Sequence, residues 1–185
     1  YSRGHLILRA FFGFLYIGLP HGILMLFLSI GYYFVSLIAG WIILFTGKYP
    51  KWAWDYYVKL NRYALRVNAI NANLTDKYPA FGLGGTHPDM DFDVPYQEEQ
   101  SRGRLILRVL FGPLMLIPHS FVLFFLGIGV SIVGIIAFWC ILFTGKYPEG
   151  MFNFVVNTMR WRFRVNAWYA LLTDGYPAFT GKVLD

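Results

Sequence analysis

Two stretches, Ala10 to Gly47 and Val109 to Gly145, contain no Asp, Glu, Lys or Arg. Each is about twice the ~18 residues at which an uncharged apolar run becomes a membrane-helix candidate. Composition agrees: the chain is 57% hydrophobic and only 14% charged, outside the proportions of a soluble domain of this size, so lipid is the expected solvent. A single straight helix of that length would reach about 55 Å against a hydrocarbon core of about 30 Å. Each run is therefore expected to fold back or to break.

The chain is also written twice. The blocks Ser2 to Arg9 (SRGHLILR), Phe45 to Pro50 (FTGKYP), Arg66 to Ala69 (RVNA) and Leu74 to Phe81 (LTDKYPAF) return in order. They reappear as Ser101 to Arg108 (SRGRLILR), Phe143 to Pro148 (FTGKYP), Arg164 to Ala167 (RVNA) and Leu172 to Phe179 (LTDGYPAF). The offset is 99 residues in the first block and 98 in the others, so the second copy lacks one residue between Gly112 and Pro118. A period this long reads as a domain duplication. The expected organisation is a membrane repeat over 1–81, an acidic linker over 82–100 and a second membrane repeat over 101–185.

Charge suggests how each run folds. The net charge is +6, yet residues 82–100 hold five of the ten acids and no Lys or Arg, leaving sixteen basic residues against five acidic elsewhere. The runs are preceded by Arg3, His5 and Arg9 and by Arg102, Arg104 and Arg108. They are followed by Lys48, Lys51 and Lys59 and by Lys146, Arg160 and Arg162. Basic residues hugging the ends of apolar spans mark the cytoplasmic side of an anionic leaflet, rather than a nucleic-acid surface. Helical hairpins over 10–47 and 109–145, turning near Ser29, Ile30 and Gly31 and near Gly127, Ile128 and Gly129, would keep both clusters there. The rival is a short interfacial helix before Pro20 or Pro118 and then one tilted span, which pushes one cluster across.

The expected fold class is therefore all-α integral membrane: two tandem helical-hairpin repeats, four membrane segments, each repeat followed by an amphipathic interfacial helix. A pseudo-two-fold axis along the membrane normal would relate the copies. The expected site is a cytoplasmic membrane, multi-pass, with termini and linker on the cytoplasmic face. Further residues are expected upstream of Tyr1, and no stretch has the order of a cleavable signal peptide.

FTGKYP reads as a membrane-exit corner. Gly47 and Gly145 suit the left-handed helix end, Lys48 and Lys146 can snorkel, Tyr49 and Tyr147 fit the aromatic belt, and Pro50 and Pro148 open the next helix. The spacing then predicts amphipathic helices over 51–73 and 149–171. Asp55, Lys59, Arg62 and Arg66 fall on one face, with Asn153, Asn157, Arg160 and Arg164 at the matching positions. Arg62, Arg66, Arg160 and Arg164 repeat in both copies. They are candidates either to gather anionic headgroups or to form structural ion pairs with Asp76 and Asp174, which end the helices.

With an apolar run containing Pro-His, then FTGKYP, then RVNA, then LTDxYPAF, the chain resembles the bacterial membrane proteins grouped as domain-of-unknown-function family 4389. The resemblance extends over both copies and implies a bacterial integral membrane protein. It implies no activity, substrate or catalytic residue.

Candidate chemistry is sparse. Pro20-His21 and Pro118-His119 lie inside the apolar runs, where proline frees a carbonyl one turn earlier, Tyr16 or Leu114. The two histidines are candidate axial ligands to a haem or a pigment, but a neutral histidine satisfying a kinked backbone is the simpler reading. Asp89, Asp91 and Asp93 mimic the start of a calcium loop, but Val94 stands where its glycine is needed and Gln100 where its glutamate is needed, so a solvated linker is the reading. His87 has no ligand companion, and the lone Cys140 excludes a disulfide framework. With no nucleophile, base and orienter set and no zinc spacing, no enzyme, metal or cofactor is expected. The expected role is an accessory or scaffolding subunit of a larger membrane complex, or a self-associating membrane protein. The alternative is a channel, transporter or lipid-handling protein using the basic helices.

Overall fold

The computed structural model describes residues 1–183; residues 184 and 185 of the expected second repeat lie outside the described residues. Its elements are α1 (Arg3–Gly13), a π-helical turn (Phe14–Gly18), α2 (Leu19–Thr46), α3 (Lys51–Asn71), α4 (Arg102–Thr144) and α5 (Glu149–Tyr169). α1, the π turn and α2 run on as one rod of 44 residues, and α4 is a second of 43. Among the described residues the one strand-like pairing is an isolated antiparallel bridge between Lys48 and Glu99.

The expected hairpins do not form. Ser29, Ile30 and Gly31, like Gly127, Ile128 and Gly129, sit inside unbroken helix, so there are four helical rods among the described residues. Two of them are long and apolar enough to cross a membrane, where four membrane segments were expected. The physical reason is what covers those glycines. A Cβ on Gly31 would fall 2.6 Å from the Tyr56 hydroxyl, and one on Gly129 would fall 3.0 Å from the Phe154 ring. They are notches that admit a ring from the neighbouring helix. Glycine costs only about 1 kcal/mol inside a helix, and no Pro, Asn or Asp lies there to supply a turn.

The one-residue offset between the copies has a structural counterpart. Tyr78 donates to the carbonyl of Tyr16 at 2.9 Å and Tyr176 to that of Met115 at 2.6 Å, so equivalent carbonyls lie four residues before Pro20 but three before Pro118. The π turn at Phe14–Gly18 spans the place where the first copy is longer, as expected of a π-bulge, which inserts one residue without ending the helix. Pro113 and Pro118 stay within α4. The carbonyl engaged there is Met115's rather than Leu114's.

Both rods begin at a serine cap, Ser2 accepting from His5 N–H and Ser101 from Arg104 N–H, and end at left-handed Gly47 (φ 73) and Gly145 (φ 72). After each corner the chain doubles back. α3 lies along α2, with Tyr63 against His21, Tyr56 hydrogen bonded to the Leu28 carbonyl and Tyr57 to Ser36. α4 runs antiparallel to the first rod, and the two hold each other's ends. Arg3 donates to the Phe143 carbonyl at 3.0 Å and Arg102 to that of Phe45 at 2.9 Å. These are last-turn carbonyls with no helical partner of their own, where cations are favoured. The main core gathers where α2 ends and α4 starts, around Ile43, Trp54, Tyr57, Leu105 and Leu172.

The other side of each rod is bare. Phe11, Leu15, Leu19, Leu26, Phe34, Leu37, Trp41 and Phe45 are exposed on the first, and Val109 through Phe143 carries the same pattern on the second. Only 6% of the most apolar window of either rod is buried, so neither is the core helix of a soluble domain.

Candidate functional site

The two histidines occupy matching niches and both are fully buried. His21 Nδ1 lies 2.6 Å from the Tyr63 hydroxyl and Nε2 lies 3.0 Å from that of Tyr78. Because Tyr78 spends its proton on the Tyr16 carbonyl, it accepts from His21 Nε2–H, and Nδ1 accepts from Tyr63. The result is a neutral imidazole in a chain running from Tyr63 to the carbonyl next to the proline kink. In the second niche Trp161 Nε1–H, which can only donate, donates to His119 Nδ1 at 3.0 Å. That leaves the proton on Nε2, which has no partner among the described residues, while the ring stacks on Phe179 at 4.0 Å. As arranged, His21 has no nitrogen free for an axial ligand, and the lone pair of His119 is already taken. Among the described residues no three His, Cys, Asp or Glu side chains group to hold a metal.

The arginines mostly hold backbone. Arg66, beneath which lies the Tyr63 ring, donates to the carbonyls of Gly82 and Gly85, and Arg164 to those of Thr180 and Lys182. Burial pushes the pKa of both downward. Arg62 is committed to the linker, donating to the Phe92 carbonyl at 2.8 Å and pairing with Asp91 and Asp93. Arg160 is exposed and reaches only Asn157. Asp76 and Asp174 pair with other partners than these four: Arg9 at 2.9 Å and Arg104.

Arg9 and Arg108 are the residues that the sequence reading passed over as mere flanking charge. Arg9 donates to the Thr75 carbonyl and pairs with Asp76. Arg108 donates to the carbonyls of Trp168, Thr173 and Asp174 at 2.7, 2.8 and 3.0 Å, its guanidinium 4.6 Å over the Trp168 ring. Each ties the start of a rod to the LTDxYPAF turn of its own half. The available signal was the recurrence of the last arginine in SRGxLILR, one of the few charges repeated without change.

The two corners have different partners. Tyr49 donates to the Ala170 carbonyl at 2.9 Å, whereas the Tyr147 hydroxyl is buried without a partner. Gly47 and Tyr49 also bond the linker through Gln100 N–H and Glu98 O, and Lys48 pairs with Glu98. The corner Gly145, Lys146, Tyr147 and Pro148 instead meets the amino terminus, Tyr1 lying 6.0 Å from the Tyr147 ring.

One comparison bears on what this arrangement is. Residues 103–181 match the family model described as domain of unknown function DUF4389. The matched residues take in α5, all of α4 but its first residue and, with them, Arg108, His119, the second corner, Arg164 and Asp174. No curated protein and no solved structure matches the chain.

Proposed function

We propose that this chain is a non-catalytic membrane scaffold that lies lengthwise in one leaflet, built from two copies of the DUF4389 unit, residues 1–81 and 101–185, joined by the acidic linker. The observation that carries this reading is the exposed apolar stripe along the whole of each rod, backed by the charge-bearing α3, α5 and linker. From Phe11 to Phe45 the stripe is about 51 Å long at 1.5 Å per residue. A span of that length would fit a ~30 Å core only with a tilt of more than about 50°, beyond the usual 0–40°. Crossing would also carry α3 through the bilayer, with Lys59 and Arg62 beside the middle of the rod. Each cation costs about 2.5–3.5 kcal/mol at that depth. Lying flat, the rods bury their stripes and leave every charge on one face, as amphipathic interfacial helices do.

In this placement the termini and linker share one side, the cytoplasmic face of a bacterial membrane, whose anionic headgroups suit the basic layer. The scaffold serves a larger assembly or its own self-association. In support, His21 is engaged by two tyrosines, and Arg66 and Arg108 are engaged by backbone carbonyls.

Nitroxide labels at Leu15, Leu26 and Leu37, in a Cys140→Ala background, test the placement by their depth in vesicles. All three are expected within about 5 Å of one depth, near the headgroup boundary. Leu26 at the bilayer centre, with Leu15 and Leu37 about 16 Å away on opposite sides, would refute it.

A further inference from the structure

Two equivalent spaces lie where the rods meet, and tyrosine rings divide one of them. The space beside the end of α2 and the start of α4 measures about 200 Å³ and is crowded by Tyr32, Tyr33, Tyr57 and Tyr169. Its counterpart, between α1, the end of α3, α4 and α5, measures about 570 Å³. The residues that correspond to those four tyrosines are Val130, Ser131, Val155 and Asn71. The first side is divided: Tyr33 stands between that small inner space and an apolar groove of about 510 Å³ along Leu37, Trp41 and Ile106, whereas on the second side the inner wall and the lipid-facing groove form one continuous cavity.

What lines the open space indicates its occupant. Its apolar wall includes Ile135 and Phe138 of α4, and Ile135 belongs to the exposed stripe, so the cavity opens toward lipid. Its polar wall includes Asn71, Asn73, Thr158 and Arg162. Arg162 makes no hydrogen bond or ion pair among the described residues. Its guanidinium lies against α4, 3.9 Å from where a Cβ on Gly127 would stand, and the corresponding residue in the first copy is uncharged Ala64. Tyr147, whose hydroxyl is buried and unpartnered among the described residues, lines the same wall. An unpaired cation and two asparagines beside an apolar exit, with an orphaned hydroxyl behind them, describe a site for a molecule charged at one end and greasy at the other.

We propose that this cavity binds one anionic phospholipid. The phosphate sits at Arg162, with the Asn71 and Asn73 amides as further donors, and the acyl chains leave past Ile135. The volume is within the ~300–1,000 Å³ of ligand cavities and accepts the glycerol-phosphate end while the chains stay in the leaflet. The proposal rests on the membrane reading above but not on the flat placement, and its test is read in detergent, so that the two can fail separately.

The full chain, stripped of lipid in neutral detergent, is titrated with phosphatidylglycerol, phosphatidylcholine or soluble glycerol phosphate, and bound molecules are counted by native mass spectrometry. One phosphatidylglycerol is expected, bound at least about tenfold more tightly than phosphatidylcholine, because a charge-assisted contact is at stake. Arg162→Gln is expected to erase that preference, and Val130→Tyr with Val155→Tyr, which copies the crowded side, to abolish binding. Lys59→Gln, removing an exposed cation elsewhere, is expected to change nothing. Arg162 is exposed and contacts little, so its variant keeps the fold even if the double tyrosine variant does not. Equal affinity for the two lipids, undiminished preference in Arg162→Gln, or glycerol phosphate binding as tightly as the lipid would each overturn the assignment.

Discussion

Replacing Arg108 with Met removes a nearly buried cation that holds three carbonyls of the turn after α5. The bond to Trp168 is buried and those to Thr173 and Asp174 are partly so. Taking about 2 kcal/mol for the first, about 1 for each of the others and about 1 for the Trp168 ring under the guanidinium gives a gross loss of about 5 kcal/mol. Methionine returns about 1–2 kcal/mol by covering the ring and ending the desolvation of a guanidinium. The net expectation is a loss of about 3–4 kcal/mol, with Arg108→Lys, which keeps the charge but not the fork, losing roughly half of that. Equilibrium unfolding in mixed micelles, titrated with dodecyl sulfate and followed by tryptophan fluorescence, measures both. A loss under about 1 kcal/mol for Arg108→Met, or a lysine variant equal to wild type, would mean that water replaces the guanidinium at these carbonyls and that it does not anchor the turn.

The same assay bears on two further sites. Gly145→Ala meets no neighbour but keeps φ 72, so it should cost about 1–2 kcal/mol from left-handed strain alone; no loss would show that the corner relaxes freely. His21→Leu strands the Tyr63 hydroxyl and removes the bond that Tyr78 accepts, whereas His119→Leu strands one indole N–H and removes an already orphaned Nε2–H, so the first should be the more damaging by about 1–2 kcal/mol. Equal losses would contradict the tautomer assignment. His87 accepts from Asp89 N–H and faces Thr75, and burial holds its pKa below the usual value, partly opposed by the Asp89 carboxylate. Its neutral form therefore contributes stability above about pH 6.5 that is lost as pH falls toward the folded pKa. Wild-type Tm should drop between pH 7.5 and pH 5 more steeply than that of His87→Asn; parallel curves would place the acid sensitivity elsewhere.

Much of this architecture was legible in the chain. The uncharged runs marked apolar helix, though they were expected to fold back and the rods begin seven residues earlier, and the glycines at 47 and 145 marked where the rods end, because a left-handed cap acts within a few residues. The polar period after each FTGKYP corner located α3 and α5 to within two residues of their ends. The repeat located matching partners, and its one-residue slip marked where a π turn lies. These are local or copy-to-copy features, which need no knowledge of what lies alongside.

What the sequence left open was decided by neighbours. Whether a helix turns or continues at Gly31 and Gly129 depends on whether a ring arrives to fill the notch, and Tyr56 and Phe154 come from a different helix. A basic residue at a span's end reads as an anchor to lipid until the tertiary fold supplies carbonyls, as it does for Arg9, Arg66, Arg108 and Arg164. Burial separates the two roles, because a guanidinium taken out of water must find acceptors. The different fates of the two spaces between the rods were likewise invisible beforehand. Val130 and Val155 look like ordinary apolar residues until the fold sets them opposite each other's helices, where the missing rings leave a cavity.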